Sequence, residues 1–483
     1  VEPQEPQAGA EDGGADHENL ARAGEVRDAE VGREDGLARR VRENAERAGS
    51  TEVHLVFAGD IFELHRTPLW LLNGETLRPT LHPAHSSAAL EAKVHSILDA
   101  IERDNHAFFE VLQTFVRTGA LVHRQEEQTL QDVRVIPHYL PGNHDRLIAV
   151  WPSTRRRIRE LLCIPAPTQG PDAEFTQPLD WDRKTGYGVR VRHGHEYDPT
   201  NFSQSFDPAQ PPAADVYHAP SLGDFVTIDI ATRLAVAFRA RYARELRLPG
   251  ERGEPYRRVY TALTEFDDVR PQSMLVHYLT HAVAANENVT FSMLRPVLRD
   301  AFETATEDAF FVSEAERLGL SKYFEGGLAT LIHAALKNLS GSEIGELLAV
   351  VDKFRHQSQS AGPAAMAQRE PGLATGDLSV VVAGHTHEPD HVAMPGKQGA
   401  GTPGDEAFFL DSGTWRTRID AGVSGAFGRL RGYTMVFCYN DTELSHVGDR
   451  RRFETWTGHL QAEDYGPILS LDVTPRAIAS NPV

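Results

Sequence analysis

Cysteine is nearly missing from this chain: Cys163 and Cys438 are the only two in 483 residues, far apart and outside any Cys-x-x-Cys spacing. That excludes a disulfide framework and a thiolate zinc site, and a reducing, cytoplasmic setting is expected. An excess of positive charge is lacking too. The 49 Lys and Arg stand against 69 Asp and Glu, a formal charge of −20, which opposes non-specific attraction to a phosphate backbone and disfavours nucleic acid as a partner. No apolar run approaches the roughly 18 residues a membrane-spanning helix needs, so no membrane span is expected. The N-terminus has neither the basic start nor the apolar centre of a signal peptide. What is present, 40% hydrophobic and 24% charged residues, suffices for a large globular core with a second unit or a sizeable insertion.

The chain divides by texture. Residues 1–36 carry eleven acidic and three basic side chains among Pro, Gly and Ala, and a flexible acidic segment is expected there because so little apolar surface is available to bury. Residues 37–201 open with a helix closed by Gly49 and then alternate strand-like and helix-like runs. "TEVHLVFAGD" reads as a strand; Leu90, Val94, Ile97, Leu98 and Ile101 recur at helical spacing, as do Phe108, Phe109, Leu112, Phe115 and Val116 before Gly119. Residues 202–376 are different. Ile230, Leu234, Phe238 and Tyr242, then Leu328, Leu331, Ile332, Ala335, Leu336 and Leu339, trace helical faces, and Ser340 with Glu343 suits a capping box. This predicts a helical insertion, tied back by the polar, small-residue stretch His356–Asp377, where little regular structure is expected. Residues 377–483 return to strands.

Polar residues gather where strands end. "VVVA" is followed by Gly384, His385, Thr386 and His387; "DVRVIPHYL" by Gly142, Asn143, His144 and Asp145; "GVRV" by His193, His195, Glu196 and Asp198; and "HLVFA" by Gly59 and Asp60. A lone His-x-His is more often a pair of solvated loop residues than a metal site. Four such endings change that balance, because ligands of α/β sheets collect beyond the carboxyl ends of the strands, and this can bring together groups as distant in sequence as Asp60 and His385. A carboxylate, an amide oxygen and imidazoles, without sulfur, suit Mn, Fe, Zn or a similar divalent ion.

Taken in order, the blocks "GD" (Gly59, Asp60), "GNHD" (Gly142–Asp145), "HGH" (His193–His195) and "GHTH" (Gly384–His387) resemble those of the calcineurin-like metallophosphoesterases. The resemblance covers roughly residues 52–200 and 377–440. It implies an α/β fold, a four-layer α/β/β/α sandwich of two mixed β-sheets, interrupted here by the helical insertion acting as a cap over the cleft. It also implies two divalent ions: Asp60 would bridge them, Asn143, His193 and His385 would complete one site, and His387 would belong to the other. Such a pair can hold a bridging hydroxide that attacks a small phosphorylated substrate. His144 would assist the leaving group, oriented by Asp145, and His195 would face the substrate. Arg66, Arg146 and Arg416 follow strand-end regions and are candidates for phosphate binding by position; Trp70 and Trp415 are candidates for the pocket wall or for packing.

Two departures qualify the resemblance. Glu63 stands in "GDIFEL" where a second Asp is common, which leaves it either near the site or an ordinary exposed Glu. The family's opening strand ending in Asp-x-His, which supplies further ligands to the ion bound by His387, has no counterpart before Asp60; Asp16 and His17 are adjacent and follow no strand. The expectation is that this strand lies upstream of Val1. The alternatives are a nuclease of the same superfamily, which needs a basic path to the metals, and a scaffold or binding module that has lost one ion.

Overall fold

The computed structural model describes residues 37–81, 87–124, 129–210, 212–265, 268–270, 278, 287–318, 362–396, 406–422, 427–445, 448 and 452–461. The acidic segment 1–36 and the helical faces expected at residues 328–354 lie outside these. The chain is a mixed α/β protein. A helix over residues 37–48 (α1) ends at Gly49, whose φ of +69° turns the chain into β1 (Glu52–Phe57). Helices α2 (Ser87–Asp104) and α3 (His106–Thr118) follow, then β2 (Ala120–Arg124) and β3 (Thr129–Tyr139). β3 pairs in parallel with β1 and antiparallel with β2.

The periodicities account for the packing. α2 buries Leu90, Val94, Ile97 and Leu98, and α3 buries Phe109, Leu112 and Phe115, one stripe on each helix. Both stripes close over Phe62, Trp70 and Tyr139, with Leu55 and Phe57 of β1 against them. The alternate residue of β1, Val56, faces the other way. There it meets a cluster formed by Leu140 and by strands β4 (Leu179–Trp181), β5 (Val189–Val191), β7 (Val380–Ala383) and β9 (Ala407–Asp411). With β8 (Asp390–Met394) these form a five-stranded sheet in the order β4-β5-β7-β9-β8, parallel along β5, β7 and β9. Strand β7 is buried on both faces: Val380 and Val382 face the inner cluster, while Val381 and Ala383 face a second one with Phe202, Leu373 and Phe409. Each such valine contributes about 1.5–3 kcal/mol by leaving water.

The insertion is knitted into this core. The helix from Leu222 to Arg241, π-helical over Val226–Thr232, places Phe225 and Ile228 in the core, with Ile228 against the α2–α3 cluster. Its later part joins Val259, Leu263, Leu294, Val297 and Ala301 in a cluster that also contains Val269 and Ile419. Those last two are sheet neighbours. Residues Val269–Arg270 form a two-residue strand, β6, parallel to β10 (Thr417–Ala421), in a four-stranded sheet completed by β11 (Phe427–Cys438) and β12 (Phe453–Gln461). The insertion thus supplies a strand as well as helices.

The returning stretch corrects one expectation. From Gly362 onward it is ordered into two short helices, Pro363–Ala367 and Pro371–Thr375, each opened by a proline at its first position. Between them Glu370 is buried. It accepts from Arg192 Nε at 2.6 Å and from Tyr197 Oη at 2.8 Å, and pairs with Arg190. Arg192, itself buried, also faces Glu196 at 3.3 Å. Side chains this far from water need partners, and the sequence around them, rich in Ala and Gly, gave no periodicity to signal it.

Among the described residues no helix is long and apolar enough to cross a membrane, and both cysteines are unpaired. Replacing Glu370 with Ala leaves two arginines without their buried carboxylate and should cost about 3–5 kcal/mol. Urea unfolding followed by tryptophan fluorescence measures this, with an unchanged midpoint as the contrary result.

Candidate metal centre

Four strand ends converge. β1 delivers Asp60, the turn after β3 delivers Asn143, β5 delivers His193 and β7 delivers His385. Asp60, His193 and His385 each offer one ligand atom within 4.8 Å of the other two. Asp60 Oδ2 and Asn143 Oδ1 both lie 3.1 Å from His193 Nε2. The glycines of the motifs make this approach possible. A Cβ on Gly142 would sit 2.1 Å from Asp60 Oδ1, and one on Gly59, where φ is +96°, would sit 2.3 Å from His193 Nδ1.

The protons show what the cluster lacks. His193 Nδ1 donates to the Ala58 carbonyl oxygen at 2.6 Å, so a neutral His193 presents a bare lone pair at Nε2. That lone pair points at two oxygens that are themselves acceptors. Asn143 donates through Nδ2 to Asn201 Oδ1 at 3.2 Å, which turns its Oδ1 inward. Asp60, His193 and His385 could hold a metal ion, and the donor set of one carboxylate, one amide oxygen and two imidazoles fits a divalent ion. Burial alone would lower the pKa of His193, but Asp60 and the bond to Ala58 raise it to about 9, so a proton on Nε2 competes with any cation for the same lone pair. Asp198 Oδ2 lies 3.3 Å and Asn201 Nδ2 3.5 Å from Nε2 of His385. Asp198 is one of the polar residues already noted after β5, and the same strand-end reasoning extended by three residues could have picked out Asn201.

His144 stands beside Asp60, its backbone N–H donating to Asp60 Oδ1 at 2.9 Å. Its ring is held differently from the expectation. Asp145 does not orient it: the Asp145 carboxylate accepts the backbone N–H groups of Ile61, Phe62 and Glu63 and the Tyr139 hydroxyl, at 2.8–3.1 Å. It therefore fixes the loop that carries Asp60 and Glu63, both of which have positive φ, +55° and +46°. The group that orients His144 is Glu63, which accepts from its Nδ1. Burial would lower the pKa of His144, yet Glu63 and Asp60 outweigh it and lift it to about 9. His65 packs against the same ring, with centroids 5.2 Å apart.

The arginines divide. Arg66 and Arg416 both border the site, sharing Glu63 (3.5 and 2.9 Å) and Asp268 (3.1 and 3.2 Å). Arg146 does not: its guanidinium is buried against Asp224, the His218 carbonyl and the Pro79 carbonyl, tying the turn after β3 to the insertion. A phosphate-binding role does not suit it. His195 is also buried, with its ring against those of His193, Phe202 and Tyr217, and burial lowers its pKa to about 4. It supports the centre from below instead of facing the cleft. Trp70 is core, donating to the Leu64 carbonyl, whereas Trp415 is exposed. His387, in a left-handed conformation at φ +65°, accepts at Nδ1 from Arg270 at 2.9 Å. Burial and then the neighbouring Arg270 and Arg66 push its pKa well below the ordinary histidine value. Neither Arg270 nor Asp268 was legible beforehand, since a two-residue strand leaves no periodic trace.

No family model, curated protein or solved structure matches this chain. The geometry therefore stands by itself.

A divalent ion at Asp60, Asn143, His193 and His385 has to displace the proton on His193. Its apparent affinity should fall by about tenfold per unit as pH drops below about 9. Manganese titrations across that range measure the slope, and a flat profile would contradict the placement. Gly142→Ala should lose the ion, because the added methyl overlaps both the carboxylate and the backbone nitrogen of Asp60; the same titration measures the loss.

Proposed function

We propose that this chain is a metal-dependent phosphoesterase of the calcineurin-like kind, hydrolysing a phosphate ester of a small molecule. The observation that carries it is the meeting of Asp60, Asn143, His193 and His385, from four separate strands, with His144 adjoining Asp60 and two arginines beyond it. The order of the blocks and the position of each after a strand support the family reading, and the α2–α3 helices and the facing sheets support its four-layer sandwich. Two unpaired cysteines favour a reducing compartment.

A divalent ion held there would act as a Lewis acid on the phosphoryl group and lower the pKa of water. The rest is done by the chain. His144, its Nδ1–H engaged by Glu63, holds a proton at Nε2 up to about pH 9 and can pass it to the departing alkoxide. Arg66 and Arg416 offer fixed guanidinium donors for the non-bridging phosphoryl oxygens. Their carboxylate partners Glu63 and Asp268 keep those planes in place when the cleft is empty. Because the summed charge is −20, a small ester suits the site better than a polynucleotide.

The test is hydrolysis of a chromogenic phosphate ester with manganese and after chelation, with an oligonucleotide diester alongside. Turnover that survives metal removal would falsify the proposal. His144→Ala should retain the ion but lower kcat by about 10²–10⁴-fold. Glu63→Gln removes the carboxylate that raises the His144 pKa, so the alkaline limb of the pH–rate profile should move to lower pH.

A further inference from the structure

We propose that His387 is a hydrogen-bond donor and not a metal ligand, because Arg270 fixes its tautomer, and that the centre consequently holds a single divalent ion with a guanidinium beside it as the second positive charge. The inference rests on the metal-site reading above. Its basis is the direction of one hydrogen bond. A guanidinium has donors only, so the Arg270–His387 contact at 2.9 Å obliges Nδ1 of His387 to be the acceptor. In a neutral imidazole the other nitrogen then carries the proton. His387 Nε2–H has no lone pair for an ion but can donate to a phosphoryl oxygen.

His193 shows the opposite arrangement in the same pocket. Its Nδ1 meets a carbonyl oxygen and must donate, which bares Nε2 towards Asp60 and Asn143. One ring is thus set as a ligand and the other as a donor, each by a single backbone or side-chain partner. The surrounding charge agrees. Arg66, Arg416 and Arg270 gather on the His387 side, with Glu63 and Asp268 as the carboxylates between the first two. A neutral His387 with an Nε2–H, bordered by these guanidinium groups, suits an anion better than a second cation. Arg270 is buried and belongs to β6, whose pairing with β10 holds it in place; Arg418, two residues before the end of the paired stretch of β10, donates to the His387 carbonyl at 3.3 Å. Arg270 is therefore a positioning residue that the insertion contributes to the centre.

The full chain should bind one manganese ion by elemental analysis, and His387→Ala should leave that stoichiometry and the affinity unchanged, whereas His193→Ala loses the ion. With zinc as a diamagnetic probe, nitrogen-resolved NMR of the imidazoles should show His387 bare at Nδ1 and protonated at Nε2. Arg270→Gln should mix the two tautomers, and Arg270→Lys, which keeps a donor, should restore the first. Two ions per chain falling to one in His387→Ala, or loss of the Nε2 proton on zinc loading, would overturn the proposal. None of these readings needs turnover, so failure of the ester to react leaves them intact and counts against the phosphoesterase reading alone.

Discussion

Everything in the cleft depends on where protons cannot go. The Ala58 carbonyl claims the Nδ1 proton of His193, and Asn201 claims an amide proton of Asn143. With those donors spent outward, Asp60, Asn143 and His193 turn lone pairs inward, and a cluster of acceptors is stable only around positive charge. The rest of the site follows from this constraint. Gly59 and Gly142 have to be glycines because the acceptors stand so close to the backbone, and the loop from Asp60 to Glu63 has to be strapped down because two of its residues hold positive φ.

Asp145 is that strap. Three consecutive amides and a tyrosine hydroxyl end on one carboxylate; burial and then the neighbouring Asp60 outweigh these bonds and raise its pKa to about 7. Its removal would free Asp60 and Glu63 together. The second buried network, Arg190, Arg192 and Tyr197 around Glu370, does for the far side of the five-stranded sheet what Asp145 does for the near side. Both networks stand directly beneath residues that form the centre, so rigidity is concentrated where the ligand atoms need to be fixed.

Much of the fold and half of the site could be read from residue order. Asp60, Asn143, His193 and His385 were legible because each follows a run with strand character, and period and residue type together locate a strand end. The helical stripes of α2 and α3 were legible for the same reason. What escaped was non-local. Arg146 sits in the right motif, yet its partner Asp224 is 78 residues away, and only the packing of the insertion reveals that it is occupied. Glu63 could be read equally as a residue near the site or as an ordinary exposed Glu, and only its contact with His144 places it at the site. Arg270 and Glu370 lie in stretches whose elements are two to five residues long, too short for any period to emerge.

The pairing of β6 with β10 has a mechanical consequence. An insertion joined to the body only through its two ends could swing open on hinges, whereas one stitched by ladder bonds into a sheet must first break them. Arg270 and Asp268 travel with that stitch, so moving this segment away from the sheet and withdrawing those side chains from His387 and Arg416 are the same event.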